Sequence, residues 1–520
     1  MFNYIKNIYR QINKIYQIKK QLDKIHNALP TYNPTYNPTN NLTNTTIDEL
    51  TPEFDNLKTM IFNCGSLYVK FLQWYISKLK SNVVNVVGNV VCDDNINIEK
   101  QNTIKFIEYF EDIFENCPFH SLEHTKEIFK QSMSGIELQE YVDIESLREY
   151  ASGSIGQVYY ARRKCDNKEI AIKVKHPDIA NDLKNQSELI KLLRFLQSFN
   201  FIRKRFNLIF NIDDFVNDIS LQCDFRNEAD NCSRFRENFK DSSNFIVFPE
   251  IIFQSEDVLI SEYIPGNSTN TLTDMQKYQI TLNFMCFFYQ MLFVDNFIHG
   301  DLHCKNWKVK FNDFGHPQLI IYDCGICFQN INTELTNDIW FSIGKYDIEK
   351  LMKTMKHFIT IANTSISDEI LLIEINKIFE TILKDSMNTT FVLKSLINFF
   401  TKNNITIHKF LLNFSILMCL IEEFLHKNDI LNRERNNSTS VSMFDIITDN
   451  QLDIISFCQV NKCYPQVSEL LKKELDNKYI EYKKNAKENN INEAKENVIS
   501  NTPTLFSSIS LSGLKFKSPE

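Results

Sequence analysis

The sequence predicts an α+β fold of two lobes, a small strand-rich lobe set between longer helical stretches. Three observations predict it. Apolar residues recur at helical spacing from Ile47 to about Gln139, and again from Thr273 to about Leu471. Between them, short β-type runs cluster at Val158–Ala161, Ile170–Val174, Phe245–Val247 and Val258–Tyr263. Pro265-Gly266 then marks the junction with the returning helices.

Residues 1–30 read as an amphipathic helix, with Ile5, Ile8, Ile12, Ile15, Ile18, Leu22, Ile25 and Leu29 on one face. Its polar face carries Lys6, Arg10, Lys14, Lys19, Lys20 and Lys24 against Asp23 alone. Such a helix suits peripheral contact with an anionic membrane, or packing on its own protein or a second copy. Residues 31–46, with the duplication TYNPTYNPT, are a linker. Residues 47–140 form a helical extension with apolar runs at Leu67–Ile76 and Ile104–Ile113. Residues 141–265 are the small lobe, changing to strand from Leu147, with Asp166-Asn167-Lys168 as a hairpin turn. Residues 266–471 are the large lobe, with a helix at Thr273–Phe297 and strands at Lys308–Phe311 and Gln318–Tyr322. The tail, 472–520, has little to bury and is expected to be partly disordered.

Composition excludes several classes. The 520 residues carry 57 Lys+Arg and 65 Asp+Glu, a net charge of −8, with 43% hydrophobic and 23% charged residues. These are ordinary globular values, and the acidic balance argues against a nucleic-acid partner. Thirteen Cys without repeated spacing point to a reducing, intracellular compartment. No run reaches the ~18 apolar residues of a membrane span. Thr281–Val294 and Phe410–Leu425 are shorter and interrupted, and read as buried helices. Met1–Leu29 lacks the compact apolar block of a signal peptide.

Three pieces carry chemistry. The first is Ala151, Ser152, Gly153, Ser154, Ile155, Gly156, Gln157 and Val158, a small-residue turn opening into a strand. Such a turn lets backbone N–H groups approach phosphate oxygens, or is simply a tight hairpin. The second is Lys173, inside the apolar run Ala171–Val174. A buried lysine needs a partner, and in kinases it holds the α- and β-phosphates while paired with a helical Glu. Glu228, in the helix-like run Asp224–Phe235, is the candidate; the alternative is a lysine that reaches water at a strand end.

The third piece is Phe297 to Asn306, in which Asp301 and Asn306 stand five apart, as in the kinase catalytic loop. There the Asp accepts the proton of the attacking hydroxyl and the Asn holds magnesium. Asp323-Cys324-Gly325 follows two strands later, where a kinase places its metal-binding Asp. The literal Asp313-Phe314-Gly315 falls instead in the polar turn Asn312–Pro317 between the two strands, so Asp323 is the expected ligand. Glu262 and Tyr263 are the expected hinge, presenting backbone groups to adenine. Lys305 is a further candidate contact for the γ-phosphate, or plain solvent exposure.

Taken together, these residues resemble the UbiB/ADCK-type atypical kinases over roughly Asn56–Leu425. Ala151–Val158 is similar to that family's Ala-rich loop, and Cys223–Asn231 to its Asp-Tyr-x-x-Glu-Ala-x-Asn helix. His299–Asn306 resembles its catalytic loop, including the second His303, and Lys70 to Gln73 resembles its Lys-x-Gly-Gln signature. The sequence departs from the pattern at Leu72, Gln222, Gly153 and Cys324. Gly300 stands where many protein kinases have Arg, and no Ala-Pro-Glu follows Asp323.

The resemblance implies a bilobal protein-kinase-like fold, ATP and Mg2+ as cofactors, and phosphoryl transfer or ATP hydrolysis. It also implies a link to lipid or isoprenoid metabolism, with a small molecule or lipid favoured over protein as acceptor. Lys70 and Gln73 are implied as regulatory residues on a helix over the site. Two rivals stand beside this reading: a nucleotide-binding pseudokinase scaffold, and a zinc hydrolase built on His299, Asp301 and His303. Cys324 and Cys327 could also be read as a redox or metal pair.

Overall fold

The computed structural model describes residues 47–65, 116–177, 212–303, 305–313, 315–329, 333–345, 347–361, 367–385 and 450–475. It also describes parts of 13–25, 68–76 and 106–113, with single positions at 179, 190 and between 395 and 424. The expected linker at 31–46, residues 1–12 and the tail beyond 475 lie outside the described residues. Two units divide the chain, Met1–Val467 and Ser468–Glu520, and of the second only its helical start to residue 475 is described.

The extension is built on α1 (Ile47–Cys64). Phe54, Leu57 and Ile61 on its inner face are buried with Val69, Leu72, Ile76, Ile107, Phe110 and Ile113. Ile25 lies in the same core and Ile18 packs against it. Lys24 pairs with Glu53 at 2.5 Å, and Lys14 donates to the Cys64 carbonyl at 3.1 Å. Within residues 13–25, the apolar face of the first helix is therefore used in packing on its own protein.

The small lobe begins with α2 (Leu122–Ser132), N-capped by Ser121, and continues with β1 (Val142–Ser152), β2 (Gly156–Arg163) and β3 (Glu169–Lys175). Asn167, at φ 57°, makes the β2–β3 turn, where an Asn tolerates the left-handed conformation. α3 (Ile212–Gln222) and α4 (Phe225–Asn238) follow, then β4 (Ile246–Val247), β5 (Ile251–Gln254) and β6 (Val258–Glu262). Five strands make one antiparallel sheet in the order β1-β2-β3-β6-β5. β1 starts earlier than the expected change at Leu147. It is an edge strand with few buried positions, so it shows no clean alternation. The edge strand β5 escaped the sequence reading for the same reason.

Gly266 joins the lobes where no side chain fits: a Cβ there would lie 2.4 Å from Lys308 Cβ and 2.9 Å from the Tyr322 hydroxyl. Asn267 then exchanges both backbone hydrogen bonds with Val309. α5 (Asp274–Tyr289) starts at a capping box of Thr273 and Gln276 and is buried all round from Ile280 onward. The sequence predicts this helix to Phe297. It ends in a π turn at Gln290–Val294, because Asn296 takes a left-handed φ of 52° and β7 (Phe297–His299) begins.

β8 (Trp307–Phe311) and β9 (Pro317–Ile321) form the expected hairpin, with β4 added in parallel, and β10 (Cys327–Gln329) pairs with β7. α6 (Thr333–Lys345), α7 (Ile348–Ile361), α8 (Asp368–Asp385) and α9 (Gln451–Asn461) complete the described large lobe. The fold is thus a bilobal α+β kinase fold. No helix among the described residues is long and apolar enough to cross a membrane.

Candidate active site

A cavity of about 410 Å³ opens between the two lobes, and strand alternation decides what faces it. Ile170, Ile172 and Val174 of β3 point into the core with Phe129 of α2, so Ala171 and Lys173 face the cavity. α4 buries Phe225, Glu228, Ala229, Cys232 and Phe235, a helical stripe that turns Glu228 inward. Lys173 Nζ donates to Glu228 Oε2 at 2.7 Å and to Asp323 Oδ2 at 3.3 Å.

Charge in this triad is unevenly held. Burial works against the Lys173 ammonium, but Asp323 and Glu228 outweigh it and raise its pKa. Burial pushes Glu228 up to about 7, with Lys173 pulling it down and Asp323 adding to the rise. Enclosure also acts to raise Asp323, yet the Lys173 ammonium and the Gly325 N–H hold its carboxyl well below the usual carboxylate range. Of the two acids, Asp323 keeps its charge more firmly.

The catalytic loop is organised by His299. Its Nε2 donates to the Asp323 carbonyl at 2.6 Å and its Nδ1 accepts from the Asp301 N–H at 3.1 Å. Both ring nitrogens are therefore committed, and His299 offers no lone pair to zinc. The Asp301 carboxylate has His303 Nε2 at 3.6 Å and Asn306 Nδ2 at 3.5 Å. Asn306 Nδ2 also donates to the Asp301 carbonyl at 2.8 Å, which leaves its amide oxygen for a cation. An amide oxygen and the Asp323 carboxylate are hard oxygen donors that fit Mg2+, which takes the rest of its shell from water and phosphate. Asp313 is exposed in the β8–β9 turn, where Gly315 has φ 78°.

The nucleotide loop is only partly as expected. Ala151, Gly153, Ser154, Ile155, Gly156 and Val158 line the cavity. Ser152 and Gln157 do not: both are fully buried on the opposite side, a correction that follows from strand alternation. Ser152 Oγ donates to the Pro118 carbonyl at 3.2 Å, and Gln157 Oε1 accepts from the His120 N–H at 2.8 Å. Gly156 is required by packing, since a Cβ would lie 2.9 Å from Phe225 Cζ and from the Val174 carbonyl oxygen.

The hinge residues Glu262 and Tyr263 stand at the cavity, but their N–H groups are engaged elsewhere. The Glu262 N–H donates to the Glu250 carbonyl at 2.8 Å and the Tyr263 N–H to the Glu169 carbonyl at 3.1 Å, so neither N–H is available to a base. Both residues line the cavity, but among the described residues it is the Ile264 N–H that has no acceptor. Tyr322 Oη steadies this position by donating to the Ile264 carbonyl at 2.9 Å. Ile264 is one residue past the expected pair, and only the sheet register distinguishes them.

From the extension, Lys70 and Gln73 both reach the cavity. The charge of Lys70 lowers the pKa of Glu228 and of Asp323. Gln73 donates to the Ile113 carbonyl at 2.9 Å and accepts from Ser154 Oγ at 3.3 Å. Leu72 points away into the extension core. Gln222 and Lys305 line the cavity as well. The sequence reading gave Asn231 no task of its own. Lying one turn beyond Glu228, it donates to the Cys324 carbonyl at 3.0 Å and ties α4 to the Asp323 segment.

Comparison with known proteins agrees with this geometry. Residues 112–355 match the profile of the ABC1 atypical kinase-like domain. A Dictyostelium discoideum protein described as probable serine/threonine-protein kinase abkC is 30% identical over 215 residues, 40% of this chain and 30% of that protein. A Vibrio cholerae protein described as probable protein kinase UbiB is 28% identical over 218 residues, 40% of each chain. The chain thus spans less than half the length of these relatives. Among solved structures, a Mycobacterium tuberculosis protein in complex with erythromycin aligns over 61% of this chain and 84% of that one. It does so at 16% identity and a TM-score of 0.40, too loose a likeness to bear on ligands. Residues 112–355 thus carry the features of an ABC1 atypical kinase-like domain, and the chain is similar over this region to UbiB-type protein kinases.

Proposed function

We propose that the cleft binds Mg-ATP and breaks the bond to its γ-phosphate, passing the phosphoryl group to a small-molecule or lipid acceptor or to water. One observation carries this reading: Lys173 is joined at once to Glu228 and Asp323, 55 and 150 residues away along the chain. In this reading Lys173 neutralises the α- and β-phosphates and Glu228 orients it. Backbone N–H groups of Ser154 and Ile155 face the phosphates, with the Gly153 N–H closing the turn onto the Gly156 carbonyl at 3.0 Å, and Ile264 with Glu262 and Tyr263 frames adenine. Asn306 and Asp323 hold Mg2+, which when bound neutralises the phosphate oxygens. Asp301, oriented by His303 and Asn306, accepts the proton of the attacking hydroxyl. Lys305 stands on the same loop, within reach of the γ-phosphate.

The supposed link to lipid or isoprenoid chemistry belongs to the same proposal. Membrane contact by residues 1–29 would fall to the basic face, because Ile18 and Ile25 are used in the extension core.

A second reading, a nucleotide-binding scaffold, is favoured by the contact of Gln73 with Ser154, which lets the extension hold the nucleotide loop. Thermal melting with Mg-ATP or Mg-ADP, together with phosphate release, separates the readings. Nucleotide should raise the melting temperature of the wild type, and Lys173→Ala and Asp323→Asn should abolish the shift. Asp301→Asn should keep the shift and lower turnover by roughly 10²–10⁴-fold. A shift without wild-type turnover, in the presence of candidate lipid acceptors, would select the scaffold. No shift at millimolar nucleotide would reject nucleotide binding altogether.

A further inference from the structure

Behind the nucleotide loop, on the side away from the cavity, lies a chain of polar groups with no part in the chemistry above. His176 Nε2 is 3.0 Å from the Gly153 carbonyl oxygen and 3.3 Å from Ser152 Oγ. His176 Nδ1 is 2.7 Å from His120 Nδ1, and His120 Nε2 is 2.8 Å from Thr125 Oγ1. Thr125 Oγ1 is in turn 2.7 Å from Tyr159 Oη.

A carbonyl only accepts, so with both rings neutral the direction of every bond is settled from that end. His176 must carry its proton on Nε2 and accept on Nδ1. His120 must then donate from Nδ1 and accept on Nε2 from the Thr125 hydroxyl, which accepts from Tyr159. The same backbone is held at two further points. The Cys117 N–H donates to the Ser152 carbonyl at 2.7 Å, and the His176 N–H to the Ile155 carbonyl at 2.9 Å.

We infer that His176 and His120 are positioning residues for the nucleotide loop: the relay Tyr159–Thr125–His120–His176–Gly153 holds the turn at 153–155 open to phosphate and stays hydrogen-bonded as long as one of the two imidazoles is neutral. This rests on the nucleotide reading of the cleft and adds a brace to it. A single proton on His176 is accommodated, because His120 can carry its proton on Nε2 and the Thr125 hydroxyl can turn to Tyr159. Only protons on both rings would set Nδ1–H against Nδ1–H at 2.7 Å, a contact that no hydrogen bond can fill. The surroundings favour the neutral forms. Burial lowers the pKa of His120 to about 3, helped by His176 and His124, and burial also lowers that of His176. The other polar groups facing the relay are His124, which donates to the Lys175 carbonyl, together with Glu123 and Glu149 near Tyr159. With His120 neutral throughout, the relay is therefore intact from pH 5 to 8.

The test is Mg-ADP affinity between pH 5 and 8 for wild type, His176→Ala and His176→Gln, with Lys173→Ala as the non-binding control. Dividing each variant by wild type cancels the titration of the nucleotide's own phosphates. His176→Ala should bind roughly five- to tenfold more weakly at pH 7.5, the worth of one hydrogen bond. His176→Gln, whose amide can donate to Gly153 and does not titrate, should recover most of that loss. Its affinity relative to wild type should stay level from pH 5 to 8. No recovery in His176→Gln, or full affinity in His176→Ala, would overturn the relay while leaving nucleotide binding intact. No wild-type binding at any pH would instead overturn the nucleotide reading, and this role with it.

Side-chain ¹⁵N spectra of the nucleotide-free wild type at pH 7.5 give a check that needs no variant to fold. They should show the Nε2–H tautomer for His176 and the Nδ1–H tautomer for His120. Either opposite tautomer would contradict the relay directly.

Discussion

Lys173 sits between two carboxylates that differ in how firmly they hold charge, and that difference is measurable without ligand. Glu228 has its pKa raised from 4.5 to about 7, so its contribution to native stability is complete below 4.5 and is lost as pH rises through 7. Asp323 has its pKa lowered, so its contribution is present above 3.8 and is lost as pH falls through its lowered native value. Thermal melting of the nucleotide-free protein from pH 5 to 8 should therefore separate two variants. Glu228→Gln should gain stability relative to wild type as pH rises, by about 1–3 kcal/mol, since each tenfold change in proton affinity is worth ~1.4 kcal/mol. Asp323→Asn should melt below wild type at pH 7. A flat difference for Glu228→Gln would show that Glu228 titrates in the native state as it does in the unfolded chain. The identities of Lys173, Asp301, Asn306 and Asp323 were legible in the sequence because their order and spacing repeat a chemical requirement. That Ile264, rather than Glu262 or Tyr263, has the N–H without an acceptor among the described residues was not legible. It depends on which amides the β3–β6 and β5–β6 pairings take.

Elements position these residues through contacts that tolerate little change. β2 crosses α4 at Gly156, with Phe225 Cζ and the Val174 carbonyl oxygen both 2.9 Å from where a Cβ would stand. Gly156→Ala should destabilise the small lobe by about 1–3 kcal/mol through overpacking. Chemical denaturation should show this, and Phe225→Leu in the same chain should recover part of it. The two substitutions being strictly additive would mean that Phe225 is not the obstacle. α5 depends on its start in a different way: Thr273 Oγ1 accepts from the Gln276 N–H, and Gln276 Oε1 accepts from the Thr273 N–H. Thr273→Ala should cost about 1 kcal/mol, read from the denaturation midpoint. The core strands β3, β6, β8 and β9 were visible as apolar runs between turn residues. β1 and β5 lie at the sheet edges, and their mixed exposure leaves no period to read.

At the scale of the molecule, the extension and the small lobe meet at the nucleotide loop. Gln73 accepts from Ser154 on the cavity side, while His176 holds Gly153 from behind. The extension in turn depends on its own core, which Ile25 completes at 3% exposure. Ile25→Asp should therefore act at a distance. It should destabilise the extension by roughly 2–4 kcal/mol, as burying a carboxyl in an apolar core does. It should also speed hydrogen exchange at the Gly153–Gly156 amides. Faster exchange confined to residues 47–76 would mean that the Gln73 contact does not carry the coupling.

The sequence by itself determined the resemblance to an atypical kinase domain, the α+β class, and most of the charged residues in the cleft. Each of these follows from local pattern or from the spacing of side chains that must share one ligand. It also pointed to Asp323 rather than Asp313 as the candidate metal ligand, because Asp313 falls in a polar turn between two strands. Only the tertiary structure decided that Ser152 and Gln157 face away from the cavity, and that the described part of the first helix packs on its own chain. The histidines that brace the loop likewise emerge only there. His120 and His176 are 56 positions apart. Their 2.7 Å contact exists only because the segment before α2 folds back across the end of β1. Non-local pairing of that kind leaves no periodic trace in the chain, since neither partner's neighbours constrain where the other will be.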